Sequence, residues 1–323
     1  MTGPSAVPGT QGSPPDATAH GPTGLDVIEY TDPLCPWAWG SEPKFRRLRA
    51  LFAGRARWRP VYAVMFDEDE DDPVPDPAAE TAWYARFVEE VGAHTGAPYA
   101  ARLRRVAASS RPASLAAVAA ADQGPLIAES VLRRLRETMF VLGDPADTED
   151  RVRAAVRGLP GLDSERLRRD LAAPAARRRL ARDHAEARRP PPEVMDLRQP
   201  SPHPGAAKPA GDGHRYALPT LVFVGPAGRR VVPGWRPLAE YVAAARAVAP
   251  EVPLLGEEFG LLTPEEALTR HGSLTVADLE LLTGGRTPPA GAVTVSTGNG
   301  PLWLGSDYAR GHPALGGTRV EAQ

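Results

Sequence analysis

The chain has 323 residues, enough for two domains or for one large domain with an insertion. Its 38 cationic residues nearly cancel 40 acidic ones, which leaves no electrostatic case for binding nucleic acid. No apolar run approaches the roughly eighteen residues of a membrane span, and a lone cysteine, Cys35, excludes an intrachain disulfide and a multi-thiolate zinc site. No basic and apolar leader precedes Leu25, so a soluble, cytoplasmic protein with a reduced thiol is expected.

In chain order, residues 1–24 are mostly Gly, Pro, Ser, Thr and Ala, and read as a disordered tail. Leu25–Tyr30 is a strand-type run that stops at Thr31-Asp32-Pro33. A helix is expected from Pro36, with Phe45, Leu48, Leu51 and Phe52 on its apolar face. Trp58–Phe66 reads as a second strand. The acidic run Asp67–Asp72 reads as a solvated loop. From 74 to 189 the chain is almost all helix former, with periodic segments at Leu115–Ala121, Ile127–Val141, Thr148–Arg157 and Ser164–Leu171. The arginines between Arg166 and Arg189 are interleaved with Asp170, Asp183 and Glu186, and read as exposed helix surface.

The Pro-rich tract 190–213 is expected to be a linker. Strand signals return at Leu218–Val224 and Arg230–Val232, before a helix from Pro237 to Val248. Residues 253–323 form a separate C-terminal extension, with helices at Pro264–Thr269 and Val276–Leu282 and a strand at Ala292–Ser296. Within it, Thr263–Gly285 loosely resembles a helix-turn-helix.

The segment that carries chemistry is Asp32-Pro33-Leu34-Cys35-Pro36-Trp37-Ala38-Trp39-Gly40. A cysteine at a strand-to-helix junction meets unpaired N–H groups and the helix dipole, both of which favour a thiolate and lower its pKa. A buried structural cysteine is the alternative at this point. The segment resembles the active-site motif of DsbA-like thioredoxin-fold proteins, Asp-Pro-x-Cys-Pro-Trp-Cys followed by an aromatic. Ser109–Gly124, Leu132–Arg136 and Gly161-Leu162-Asp163 resemble that family's inserted helical domain. Leu218-Pro219-Thr220 falls at the place of its cis-proline loop, with Gly234 before the last helix.

The resemblance covers about residues 25–250. It implies an α/β thioredoxin fold, from 25–66 and 214–250, with an inserted all-helical domain. It is closest to a cytoplasmic branch of dithiol–disulfide isomerases that also includes adaptors for ClpXP proteolysis. It further implies Cys35 as nucleophile, and Pro36, Trp37, Leu218, Pro219 and Thr220 as substrate-binding residues. Trp37 has core packing as its alternative.

Ala38 departs from the pattern, because the family places its second cysteine there. A lone thiol can form a mixed disulfide but cannot resolve it internally. Three readings follow. Cys35 acts as a monothiol with a glutathione- or mycothiol-type co-substrate; it activates a small thiol, as in kappa-class glutathione transferases and chromene-carboxylate isomerases; or the scaffold is a non-redox protein-binding adaptor. The expected partners are protein or peptide thiols and disulfides or a small thiol, with no nucleic acid, no membrane, no metal and no tightly bound cofactor. Glu42 reads as a solvated helix residue, and His214 as a surface loop residue.

Overall fold

The computed structural model describes residues 24–68, 75–200, 202, 205–254 and 261–316. The expected tail, apart from Gly24, and most of the acidic run lie outside the described residues. The apolar run after Leu25 forms β1 (Asp26–Thr31), and α1 (Pro36–Leu51) follows with proline in its first turn. β2 (Arg57–Tyr62) pairs in parallel with β1. The strand is shorter than the apolar pattern predicts. Beyond it Val64 adopts φ +50°, a left-handed conformation that a pleated strand cannot continue through.

The helical block begins with α2 (Pro77–Thr95), capped by the Asp76 carboxylate on the Ala78 and Ala79 N–H groups. It continues with α3 (Arg111–Ala120), α4 (Pro125–Phe140), α5 (Glu149–Ala155), α6 (Ser164–Ala172) and α7 (Pro174–Ala187). Its core is largely alanine and leucine: Ala113, Ala116, Ala117, Val131, Leu135 and Val152 are all buried. α1 and α2 touch at Gly40, where a Cβ would come within 2.6 Å of the Thr95 side chain. That close approach brings α2 against the start of α1.

The tract expected as a linker has structure of its own. It holds the short helix α8 (Pro192–Met195) and β3 (Ala207–Ala210), which forms a two-stranded hairpin with β4 (Gly213–Tyr216), a strand that starts at the last residue of the tract. The apolar residues scattered among its prolines, Val194 and Ala206, are fully buried. β5 (Thr220–Gly225) then pairs antiparallel with β1, and β6 (Gly228–Pro233) with β5. The four-stranded order is β2-β1-β5-β6, and α9 (Leu238–Val248) packs on it through Tyr241, Ala245 and Val248.

The C-terminal extension is not separate. It forms α10 (Pro264–His271), β7 (Ser273–Leu274), α11 (Val276–Thr283), β8 (Val293–Thr297), β9 (Gly300–Leu304) and α12 (Ser306–Ala309). Its sheet has the order β7-β9-β8. Leu302, Leu304, Tyr308 and Ala309 join the core of the helical block. At the hairpin tip, the Asn299 amide donates to the Gly92 and Ala97 carbonyls at the end of α2.

Its deepest attachment is ionic. Arg133 of α4 reaches Glu42 of α1 at 3.3 Å, Glu137 at 2.9 Å and Asp278 of α11 at 3.2 Å. Arg46 meets the other Asp278 oxygen at 3.2 Å, and Arg136 donates to Glu42 at 2.8 Å and to Thr31 at 2.9 Å. Tyr308 donates to Glu137 at 2.8 Å, and His312 Nε2 lies 3.1 Å from the same oxygen.

Glu42 is therefore not solvated; it is 5% exposed and forms the α1 side of this joint. Burial opposes its charge, but Arg133, Arg46 and Arg136 together hold its carboxyl below the usual range. The helix-turn-helix likeness also fails. A strand separates α10 from α11, and Asp278, Leu279 and Leu282 turn α11 inward. Asp67 departs from the solvated-loop reading too: it is 1% exposed and paired with Arg111 at 2.9 Å and His184 at 3.3 Å.

Candidate functional site

Cys35 is the N-cap residue of α1, with extended backbone (φ −87°, ψ 118°) between strand and helix. Its Sγ lies 3.7 Å from the Leu218 carbonyl oxygen, to which the thiol donates. The Leu218–Pro219 bond is cis, as the resemblance implies. Residues 183 positions apart are thus brought into contact, because β5 lies beside β1 in the sheet. Pro36 opens the helix. Trp37 is 9% exposed and faces the His94 ring at 6.1 Å.

Thr220 is buried, and its hydroxyl is spent on the Ala217 carbonyl at 2.6 Å. It shapes the loop from within and offers nothing outward. Trp39 belongs to the core: its Nε1 donates to the Pro98 carbonyl at 2.8 Å, and its ring stacks on Phe140. His214 is exposed, as expected, but it lies in β4 opposite Pro209 and not in a loop.

The thiol itself departs from expectation. Cys35 is 2% exposed, packed in one cluster with Tyr30, Trp37, Ala38, Ala187, Val194, Ala206, Tyr216 and Leu218. Ala187 of α7, Val194 of α8, and Ala206 and Tyr216 at the β3–β4 hairpin supply the later-chain side of this cluster, its cover. Ala206 accepts the Ala217 N–H at 2.8 Å, so the hairpin runs directly into the cis-proline loop. Tyr216 stacks on Tyr30 with centroids 3.8 Å apart and 15° between planes.

Burial pushes the Cys35 thiol up to about 11, and the Asp32 charge adds to the rise. The Ala38 and Trp37 N–H groups do favour the anion, as the helix start predicts, and Arg215 helps. Desolvation outweighs them, so the expected lowered pKa is not met in this closed arrangement.

Several residues of the site were not legible as such. Asp32 was read only as part of a turn, yet it is fully buried beneath the thiol loop. Ser110 and Tyr84 come from the helical block and Tyr216 from just after the expected linker, and no local pattern ties them to Cys35. The alternation of prolines with Val194, Leu197 and Ala206 was the available signal for a packed cover. Among the described residues, no group of three or more His, Cys, Asp or Glu is placed to hold a metal. Among them, too, no helix is long and apolar enough to cross a membrane.

Among curated proteins, the chain is similar to the ClpXP adapter protein SpxH of Shouchella clausii, 30% identical over 162 residues. That alignment takes in 49% of this chain and 52% of the relative, so the chain spans about half the length of the curated relative it matches. Among solved structures, a Nitrosomonas europaea protein assigned as a disulfide isomerase aligns with TM-score 0.51 at 14% identity. The alignment covers 69% of this chain and 95% of that one, a likeness of fold. The cytosolic disulfide reductase DsbM of Pseudomonas aeruginosa aligns with TM-score 0.47 and 15% identity over 69% of this chain and 93% of its own. The family model for the DSBA-like thioredoxin domain matches residues 26–190, half of the chain, from β1 to the end of the helical block. With the strand-to-helix cysteine, the helical insertion and the cis-proline loop in place, the chain belongs to the DSBA-like thioredoxin domain family.

Proposed function

We propose that the chain is a thiol–disulfide exchange protein of monothiol type, in which Cys35 reacts after the cover over it opens. The observation that carries this reading is the contact between the Cys35 thiol and the Leu218 carbonyl beside cis-Pro219. The nucleophile and the loop that would present backbone to an incoming chain stay together, although the second sulfur is gone. At neutral pH a thiol with a pKa of about 11 is ionised to only about one part in ten thousand, so the closed form is a resting state. Opening rehydrates the sulfur and leaves the Trp37 and Ala38 N–H groups to favour the thiolate.

The thiolate then attacks one sulfur of a protein or small-molecule disulfide. A new bond joins Cys35 to that half, and the other half leaves as a thiolate that takes a proton from solvent. Ala38 offers no attacking sulfur. A second, external thiol of glutathione type must therefore release the adduct, forming the product disulfide and restoring Cys35. That thiol is a co-substrate and not a bound cofactor. A reducing compartment would supply it.

Mass spectrometry of the reduced protein with glutathione disulfide tests the reading. One glutathione should add at Cys35, persist until an external thiol arrives, and be absent from Cys35→Ser. Ala38→Cys should instead close an internal disulfide. No adduct on the wild type, even with a loosened cover, would overturn it.

A second reading is a non-redox adaptor that binds protein through the same scaffold. The sealed thiol and Ala38 favour it, and a ClpXP adapter stands among the relatives. Under that reading Cys35→Ser keeps full partner binding.

A further inference from the structure

Asp32 ends the loop side of β1 three residues before Cys35, and its carboxylate is fully buried. One oxygen accepts the Leu34 N–H at 2.8 Å. The other accepts the Met65 N–H at 2.7 Å and the Ser110 hydroxyl at 2.7 Å. The Asp32 carbonyl accepts the Cys35 N–H at 3.3 Å. One residue thereby ties together the thiol loop, the exit of β2 and the start of α3. Without it the buried Leu34 N–H would lack a side-chain acceptor.

The strained Val64 is the second observation. Its φ of +50° turns the chain immediately ahead of Met65, whose N–H the carboxylate accepts. A β-branched residue keeps such a conformation only where its surroundings over-determine it. The Asp32 bond to Met65 is one of those constraints.

From this geometry we infer that Asp32 is a positioning residue for the Cys35 thiol: it fixes the loop that aims the sulfur at Leu218, and its carboxylate, when ionised, opposes a second negative charge on that sulfur. The inference rests on Cys35 being the reacting group. Three neutral donors stabilise the carboxylate. A thiolate formed beside it in the same dry pocket would be a second negative charge, which is disfavoured.

The groups facing the sulfur come from three elements. Asp32 belongs to its own loop; Tyr84 of α2 donates to the Leu34 carbonyl at 3.2 Å; Arg215 of β4 acts in the opposite sense on both acids. Burial is the largest influence on Asp32 and holds its carboxyl above the ordinary carboxylate range, although the Met65, Leu34 and Ser110 bonds pull it down. Arg215 lies on the cover, so opening removes the favourable charge and the water barrier together.

The test is the pH profile of Cys35 alkylation by iodoacetamide, in the full chain, for wild type, Asp32→Asn, Ser110→Ala and Arg215→Gln. Asp32→Asn should move the profile down by about one unit or more, which is about tenfold in rate at pH 8. Ser110→Ala keeps the charge and should leave the midpoint nearly unchanged, while Arg215→Gln should move it up. Equal downward shifts in Asp32→Asn and Ser110→Ala, or none in Asp32→Asn, would overturn the role of the charge.

Should Asp32→Asn fail to fold, carbon-13 NMR of the Asp32 carboxyl in the wild type decides the matter. An ionised signal from pH 6 to 9 supports the inference, and a protonated one overturns it. Failure of the monothiol reading shows instead as an absent glutathione adduct with these shifts intact.

Discussion

Two buried polar centres lie along the first half of α1, and they are built on opposite rules. Around Glu42 and Arg46, every carboxylate of the joint meets arginine: Glu42, Glu137 and Asp278 against Arg46, Arg133, Arg134 and Arg136. Around Cys35, apolar and aromatic residues bury the thiol and push it above its ordinary pKa, and the acid beneath it is held by amides and a hydroxyl. Charge that is answered in place makes a structural joint, which bolts the C-terminal extension to α1 and α4. Acidity that is only suppressed by burial is stored, and it returns when water does.

The sharpest way to break this contrast is to remove one charge from the joint. Glu137→Gln or Asp278→Asn removes one of the carboxylates shared by the buried arginines, leaves an excess of buried positive charge, and should cost about 3–5 kcal/mol in urea unfolding. Cys35→Ala removes no charge and should cost about 1–2 kcal/mol. Comparable losses for the two centres would erase the distinction.

Alkaline pH probes the second centre directly. The folded Cys35 pKa, about 11, lies above the ordinary value near 9. Its contribution is therefore fully present below pH 9 and lost as pH rises toward 11. Wild type should lose about 2–3 kcal/mol more than Cys35→Ala across that window. The joint behaves in the opposite sense: arginines hold Glu42 and Asp278 below the usual carboxylate range against the pull of burial. That stability is present above about pH 4 and fades as pH falls further.

The cover should yield to a smaller push. Val194→Asp places a charge in its fully buried apolar anchor. It should speed Cys35 alkylation about tenfold, which corresponds to about 1.4 kcal/mol of easier opening. An unchanged rate would mean that the cover is not the barrier. Smallest is Asn299→Ala at the hairpin tip, where loss of two hydrogen bonds should cost about 1 kcal/mol and leave alkylation untouched.

Much of the frame could be read locally. The strand-to-helix turn at Cys35, the periodic helices from α3 to α6 and the Leu218-Pro219-Thr220 loop are each visible within a few residues, and their resemblance to the DsbA-like family implies the fold. Glu42 was misread because a helix position carries no local mark of burial. Its partners come from α4 and, through Asp278, from a region some 230 residues later. The 190–213 tract was misread for a related reason. Proline content suggests a loop, whereas Val194 and Ala206 acquire meaning only against Cys35.

By itself, then, the sequence determined which residue carries the sulfur and that Ala38 cannot resolve a disulfide, properties of covalent identity. The loop that meets the thiol was implied by the family resemblance. Tertiary structure alone decided how acidic that sulfur is. The N–H groups at the helix start favour its thiolate, but the removal of water by burial outweighs them. Desolvation is a property of everything packed around an atom, and no stretch of chain records it.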